Sequence, residues 1–453
     1  MGFTTPPPSL GGHALLVFLI AVVTLLLVAR LLAALAERVG MPAIVGELAT
    51  GVILGPSLLG HLLPGLTDWI FPRAAEQMHL LDAVGQIGIL LLVGLTGTHL
   101  DVAMIRRRKA TAARISLGGM LLPLALGLIV GYQLADWISG TPVGDRLLFA
   151  GLIGVAMCVT AIPVIAKTLS DMRLLHRDTG QMIMAAGTID DAVGWFLLSV
   201  VSMAATVGLA TGHVVLAAGY LLGFVVLAVL LGRPLVRRAM RLADRSEAPG
   251  PSIVAAVVIV LTGAVITQAL GMEPVFGAFV AGILVGLPRA ANQAKLAALR
   301  TVVLSVLAPI FLATAGFRMD LTALADPKVA LAALVVLAVA ILGKFAGAYA
   351  GARLSRLSRW EGLAIGAGMN SRGVVEVVVA LTGLRLGILN TASYTIIVLV
   401  AVVTSVMAPP MLRYACARIT ENEDERLRKI DHDTWNGVPT ARQPSSNAGE
   451  KSA

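Results

Sequence analysis

Apolar runs of about twenty residues follow one another along nearly the whole chain, separated by short stretches where Gly, Pro and basic residues gather. A hydrocarbon core about 30 Å thick takes roughly 20 residues of helix to cross, so each run predicts a membrane-spanning helix. Thirteen spans are predicted, at 13–35, 42–60, 84–100, 112–135, 147–170, 179–207, 213–232, 252–270, 274–287, 301–317, 329–352, 360–383 and 391–412. The second and ninth are short and rich in Gly or Pro. The chain thus divides into an extracytoplasmic segment 1–12, a transmembrane domain 13–412 and a polar tail 413–453. The tail carries ENEDERLRK, then Pro, Ser, Asn and Gly, which predicts a short helix followed by disorder. Thirteen spans divide as six, one and six, and the single span between them inverts the second six relative to the first. Inverted repeats with a site at their interface are a common plan for secondary transporters. No residue-level repeat is evident, so the symmetry rests on topology.

Composition agrees with an all-α polytopic membrane protein. The chain is 57% hydrophobic and 13% charged, against about 25% charged in an average soluble domain. The net charge of +9 does not indicate nucleic acid, because the basic residues fall between apolar runs. With the N-terminus outside, the inner loops hold eighteen Lys and Arg, including Arg106, Arg107, Arg108, Lys109 and five arginines between 233 and 245. The outer loops hold five: Arg73, Arg146, Arg318, Lys328 and Arg385. The positive-inside rule then puts the C-terminus in the cytoplasm. Residues 1–12 lack the basic start of a cleaved signal peptide, and Pro6 stands where a myristoylation signal needs Ser or Thr. Cys158 and Cys416 form neither a disulfide framework nor a metal-ligand spacing. The seven histidines form no ligand cluster, and no Walker loop, dinucleotide fingerprint or supported Ser-His-Asp set occurs. An ATP-driven pump and a membrane enzyme lack their motifs, and no cofactor is expected. Heavy use of Ala, Gly, Val, Leu and Arg suggests a GC-rich bacterial source.

A few charged residues lie deep within the apolar runs. GTIDDAVGW (187–195) sets Asp190 and Asp191 side by side, ILGKFAGAY holds Lys344, and GMNSRGVVE holds Arg372 and Glu376. Each charge at a helix centre costs about 2.5–3.5 kcal/mol, so such residues pair, face water or hold a proton. Rising about 1.5 Å per residue from the inner ends of their helices, Asp190 and Lys344 both reach about 15 Å depth, near mid-membrane. Consecutive helical residues point about 100° apart, so one aspartate faces Lys344 and the other an aqueous cavity; the plain alternative is a charge cluster that only fixes packing. Two stretches at similar depth weaken their helices. In CVTAIPVIAKTLSD, Pro163 pushes the preceding residue from helical geometry. In GAGMNSRGVVE, three glycines surround Asn370 and Ser371. Broken helices free backbone carbonyls and half-helix ends, which transporters use to hold ions; the plain alternative is an ordinary kink. Glu376 follows Arg372 by one turn, as in an intrahelical ion pair, and Glu47 reads as structural.

The stretches MPAIVGELATGVILGPSLLG, TAIPVIAKTLSD, GTIDDAVGW, GMEPVFGAFVAGILVG, APIFLATAGFRMDL and MNSRGVVEVVVALTG resemble, in that order, the monovalent cation:proton antiporter-2 family and the related plant cation/proton exchangers. The resemblance covers roughly 15–412. It implies a six-plus-one-plus-six antiporter fold, a dimer domain and a mobile core domain, and two crossed broken helices, here the fifth and twelfth spans. By resemblance Asp191 is the ion-binding carboxylate, Asp190 the acid that pairs with Lys344, and Thr160 the broken-helix threonine beside the site. Asn370, Ser371, Arg372 and Glu376 match the polar part of the second broken helix. Cys158 departs from the pattern, standing where a small hydroxyl residue is frequent. The tail is too short for the nucleotide-binding regulatory domain that some members carry, so regulation on that model is not expected.

The expected activity is exchange of Na+ or K+ for protons at Asp191, by alternating access across a bacterial inner membrane. Burial penalises a bare carboxylate, so a proton or a cation neutralises it and only then does the core cross the apolar barrier. Release of a proton from Lys344 on cation binding would favour electrogenic exchange. The expected partners are monovalent cations, protons, the lipid bilayer and a second copy of the chain, with no nucleic acid. Two other classes stand as alternatives. One is a cation channel, although narrow pores often show selectivity loops or rings of charge and this chain shows an asymmetric acid-acid-lysine set. The other is an exporter of an organic ion such as a carboxylated ionophore, which differs in the width of its cavity.

Overall fold

The structure, a computed structural model, describes residues 11–72, 75–98, 109–139, 146–208, 211–287, 292–421 and 425. Arg73, Arg106, Arg107, Arg108, Arg289, residues 1–10 and most of the tail lie outside the described residues. Among the described residues all regular structure is helical. In chain order, α1 is Gly12–Arg38, α2 Ala43–Leu54, α3 Ala75–Thr98 and α4 Lys109–Leu134. The fifth helix is broken into α5a, Arg146–Cys158, and α5b, Ile162–Asp171. Then come α6, Asp178–Val207, α7, Thr211–Leu227, prolonged through a π turn into Arg233–Ala243, and α8, Gly250–Ala269. After α9, Pro274–Gly286, follow α10, Ala294–Gly316, and α11, Pro327–Leu354. The twelfth is again broken, into α12a, Arg359–Met369, and α12b, Val374–Arg385, bent by 41°. The last is α13, Thr391–Cys416.

All thirteen predicted segments are helical, yet the count of full spans is smaller. Eleven helices are long and apolar enough to cross, and the bent α12 pair makes twelve. The ninth, α9, has 13 residues and reaches about 20 Å, short of a 30 Å core, because Pro274 sets its start and Gly286 its end.

The helices sort into two bundles. The scaffold bundle chains α1 to α2, α2 to α10, α10 to α3, α3 to α9 and α9 to α8. The core bundle pairs α4 with α11 along much of their length and adds α5, α6, α12 and α13. Helix α7 packs on α6, and its continuation on α8 and α9. Exchanging α1–α6 for α8–α13 maps this pattern onto itself: α1–α2 becomes α8–α9, α2–α10 becomes α9–α3, α4–α6 becomes α11–α13, and α4–α11 becomes itself. The inverted repeat is therefore present in the packing.

It is also present in the residues, which sequence inspection alone missed. Gly46, Gly51 and Gly55 of α2 and its end correspond to Gly277, Gly282 and Gly286 of α9, each 231 positions later. Both triplets follow a Met and a Pro and frame the same GxxxG spacing. Small residues at such positions let helix backbones approach closely in lipid, where packing rather than hydrophobicity drives association. A Cβ on Gly51 would lie 2.0 Å from Ala313 O on α10, and one on Gly282 would lie 1.9 Å from Gly94 O on α3. The two seams are equivalent under the symmetry. Gly282→Ala is expected to cost about 1–3 kcal/mol through overpacking, read as a lower melting temperature of the purified protein in detergent. An unchanged melting temperature would show that the α3–α9 seam yields.

Two faces follow from these helices. The N face, where α1 begins, gathers Ser57, Asp82, Arg318 and Asn390, with Arg318 donating to both oxygens of Asp82 at 2.8 and 2.6 Å. The C face, where α1 and α13 end, gathers Arg38, Arg177, Arg353 and Arg413. There the chain beyond α13 folds back on the α5–α6 turn. Arg177 donates to Ile419 O at 2.8 Å, and the Asp178 backbone N–H donates to Glu425 at 2.8 Å.

Candidate functional site

The two breaks cross at the centre of the core bundle. Helix α5a ends at Cys158, Ala161 is extended (φ −102°, ψ 96°), and Pro163 sits in the first turn of α5b, where its missing N–H costs nothing. On the other side α12a starts from a capping box, Ser358 with Glu361, and ends at Met369. The Ala161 backbone N–H donates to Ser371 O at 3.1 Å, and the Thr160 hydroxyl lies 3.2 Å from Met369 O. The unwound segments thus satisfy part of each other's backbone.

Three carbonyls close the C-terminal end of α5a, and cations meet all of them. Arg372 donates to Ala156 O at 2.9 Å and to Met157 O at 2.6 Å, as well as to Ala340 O at 3.0 Å. Lys344 donates to Cys158 O. A helix C-terminus carries partial negative charge and unsatisfied carbonyls, so these two side chains neutralise the half-helix end. The predicted intrahelical pair is present, Arg372 to Glu376 at 3.0 Å, both side chains buried. The capping role of Arg372 was not legible in sequence, since its partners lie some 215 residues away.

The adjacent aspartates have opposite surroundings. Asp190 Oδ2 accepts from Lys344 at 2.5 Å and from Thr160 at 2.9 Å, and its Oδ1 accepts from Ser116 of α4 at 2.6 Å. Asp191 is equally buried, at 0% exposure, yet neither of its oxygens has a hydrogen-bond partner among the described residues. The backbone N–H of Ile162, at the start of α5b, faces it, so the positive end of a half-helix points at the bare carboxylate. Asp191 also lines a cavity of about 10 Å³ with Leu92, Val93 and Thr96 of α3, Pro163, Trp195, Val374 and Val375. That is about enough for one water-sized occupant. Because α3 belongs to the scaffold and the rest to the core, Asp191 sits at the seam between the bundles.

The remaining candidates divide. Asn370 and Ser371, at the break of α12, are buried, and their side-chain polar atoms have no hydrogen-bond partner among the described residues. Thr160 binds Asp190 rather than Asp191. Ser116 was missed in sequence, because a lone Ser in an apolar run carries no signal of its partner. The Cys158 thiol turns back to Val155 O at 3.3 Å, and its carbonyl, not its sulfur, meets Lys344. Glu47 is buried on α2 with Lys167 and Arg30 as its cationic neighbours. On the C face a vestibule of about 500 Å³ opens between the bundles, lined by Glu37, Pro42, Lys167, Thr168, Pro409 and Arg413. Lys167 of the core and Glu37 of the scaffold pair across it.

Two helical bundles joined by an inverted repeat, with crossed broken helices and a bare buried carboxylate at their seam, define a helical membrane transporter rather than an enzyme. Residues 1–417 match the family model described as "Sodium/hydrogen exchanger, transmembrane", and the chain belongs to this family. It is 30% identical over 407 residues to the Na(+)/H(+) antiporter NhaS4 of Synechocystis sp., covering 88% of this chain and 97% of that protein. It is 27% identical to the Na(+)/H(+)-K(+) antiporter GerN of Bacillus cereus, covering 88% and 96%. With Cation/H(+) antiporter 19 of Arabidopsis thaliana it shares 30% identity over 93% of its own length and 52% of that protein, so it spans about half of this longer plant relative. The fold resembles the sodium proton antiporter MjNhaP1 from Methanocaldococcus jannaschii, with a TM-score of 0.61 at 17% identity, covering 89% and 97% of the two chains.

Proposed function

We propose that the protein exchanges a monovalent cation, Na+ or K+, for protons by alternating access at Asp191. One observation carries this reading: a fully buried carboxylate with no hydrogen-bond partner among the described residues, at a half-helix N-terminus and on the seam between two bundles. Asp190, Asp191 and Lys344 together carry one net negative charge. A single proton or a single monovalent cation neutralises the set, and either loaded form then moves through the apolar seam at low cost, whereas the empty form carries an unpaired charge that desolvation penalises. This difference couples the two ions. Asp190 is saturated by three donors and serves as structure; Asp191 is the group that exchanges. Asn370 and Ser371 supply oxygens to the dehydrated cation, and Arg372 with Glu376 holds the breaks in place.

The family match and the printed names of the relatives support the ion class. The scaffold bundle is read as the homodimer interface and the core as the moving part. The C face is read as cytoplasmic from the excess of Lys and Arg there, in a bacterial inner membrane, so the vestibule beside Lys167 is the cytoplasmic access. Addition of Na+, K+, Li+ or choline to proteoliposomes holding an acid interior tests the reading. One or more of the alkali cations is expected to dissipate the pH gradient and choline is not. Dissipation by choline alone, or by none of the four, would remove cation exchange as the function.

A further inference from the structure

The structure carries a row of buried polar atoms that the exchange reaction at Asp191 leaves unused. Helix α6 runs from Asp178 on the C face to Val207 on the N face. Trp195, Ser199 and Ser202 follow Asp191 at helical spacing, so all four share one face of α6, and Ser199 lies about 12 Å nearer the N face than Asp191. Trp195 and Ser199 are 1% and 0% exposed. Neither the indole N–H nor the Ser199 hydroxyl has a hydrogen-bond partner among the described residues. Helical serines commonly bond the carbonyl one turn back, and a buried polar group without a partner is costly. Two in a row, beginning at an equally bare Asp191, are explained if water reaches them in another conformation.

Among the described residues, two contacts bridge the bundles on the N face above this row. Arg385, ending α12b, donates to Glu273 at the start of α9 at 2.7 Å. Tyr394 of α13 donates to Ala315 O of α10 at 2.7 Å. Each contact joins core to scaffold. Helix α6 packs against both α9 and α12b, the two elements that the ion pair ties together, and Phe196 of α6 meets Phe276 of α9 edge to face at 6.4 Å. The C face differs: its inter-bundle pair, Lys167 with Glu37, is about half exposed in an open vestibule. Under the inverted repeat the two ion pairs occupy related places. Each links the outer part of a second half-helix, α12b or α5b, to the hairpin between the first two helices of a repeat.

We propose that the α6 face formed by Asp191, Trp195 and Ser199 is the N-side limb of the ion path, closed in this conformation, and that Arg385 with Glu273 locks its mouth. The proposal rests on the alternating-access reading and assigns it a route and a gate. When the lock opens, core and scaffold part along α6, water reaches the Trp195 N–H and the Ser199 hydroxyl, and the ion on Asp191 exchanges with the N side. Arg385 and Glu273 are positioning residues that set how much of the population is open to that side.

Thiol accessibility in vesicles tests this. Ser199→Cys keeps size and burial, and the parent chain, whose two cysteines are buried, gives the blank. A small membrane-impermeant methanethiosulfonate is added from either face while cation-driven exchange is measured in the same vesicles. Ser199→Cys is expected to react from the N face and not from the C face. Adding Glu273→Gln is expected to raise that rate roughly five-fold, the population shift from losing one ion pair. Reversing the pair, Glu273→Arg with Arg385→Glu, is expected to bring the rate back, which a merely structural defect would not do. Ser202→Cys, nearer the mouth, is a second reporter. Exchange intact with both reporters silent from the N face, or with a rate indifferent to Glu273→Gln, overturns the route and the gate while antiport stands. Absence of exchange in the parent overturns both readings.

Discussion

Asp191→Asn abolishes cation-driven proton movement while the protein still folds. An amide can neither take up a proton nor carry the compensating negative charge, so neither loaded state forms. The energy at stake is that of one charge in the membrane core, about 2.5–3.5 kcal/mol, which corresponds to a rate loss on the order of 100-fold or more. Because neither Asp191 oxygen has a hydrogen-bond partner among the described residues and only the Ile162 backbone N–H faces the carboxylate, the substitution gives up little native contact and removes a desolvated charge. The melting temperature in detergent should therefore hold or rise. Initial rates of pH-gradient dissipation in proteoliposomes, with the melting curve of the same preparation, check both halves. Full exchange by the Asn variant would sink the assignment of Asp191, and loss of exchange together with collapse of the fold would make Asp191 structural.

Lys344→Ala has the opposite signature, a large loss of stability. Lys344 is fully buried and serves two acceptors, Asp190 Oδ2 and Cys158 O. Removing one partner of a buried ion pair typically costs 3–5 kcal/mol, because the other charge is left uncompensated. Here Asp190 would keep Ser116 and Thr160 as donors but lose the one cation that pairs with it among the described residues, and α5a would lose one of its terminal donors. The expected result is a markedly lower melting temperature and reduced exchange. Adding Asp190→Asn should restore a large part of the stability, since the stranded carboxylate is then gone; Cys158 O remains unserved, so recovery is incomplete. If Lys344→Ala melts with the parent, the pair does not hold the core. If the second substitution restores nothing, the coupling lies with Cys158 rather than Asp190.

The two predictions separate groups that adjoin in sequence and differ in environment. Asp190 and Asp191 have the same burial and chemistry, yet α6 turns them about 100° apart, one into Lys344, Thr160 and Ser116, the other onto the seam with α3. Their depth and their divergence were legible, since both follow from helical rise and twist. Lys344 was legible as a partner because its charge lies at the same depth. Ser116 was not, because depth matching needs a charge to search for, and a hydroxyl in an apolar run resembles any small packing residue. The Gly46 and Gly277 triplets were in plain view and still unread, because glycine spacing gains meaning only once α2–α10 and α9–α3 are seen to be equivalent seams.

Along the chain, local periodicity and the cost of charge in lipid determined the helical segments, the weak points at Pro163 and at Asn370–Gly373, and the residues that cannot rest against hydrocarbon. These are properties of a single helix in a single solvent, so sequence alone carries them. Which weak points cross, which carbonyls Arg372 and Lys344 cap, which aspartate is left bare, and which side chains bridge the two bundles were decided only by tertiary structure. Each depends on contacts between segments one to two hundred residues apart, where side chains select one partner among several at the same depth and no spacing rule connects them.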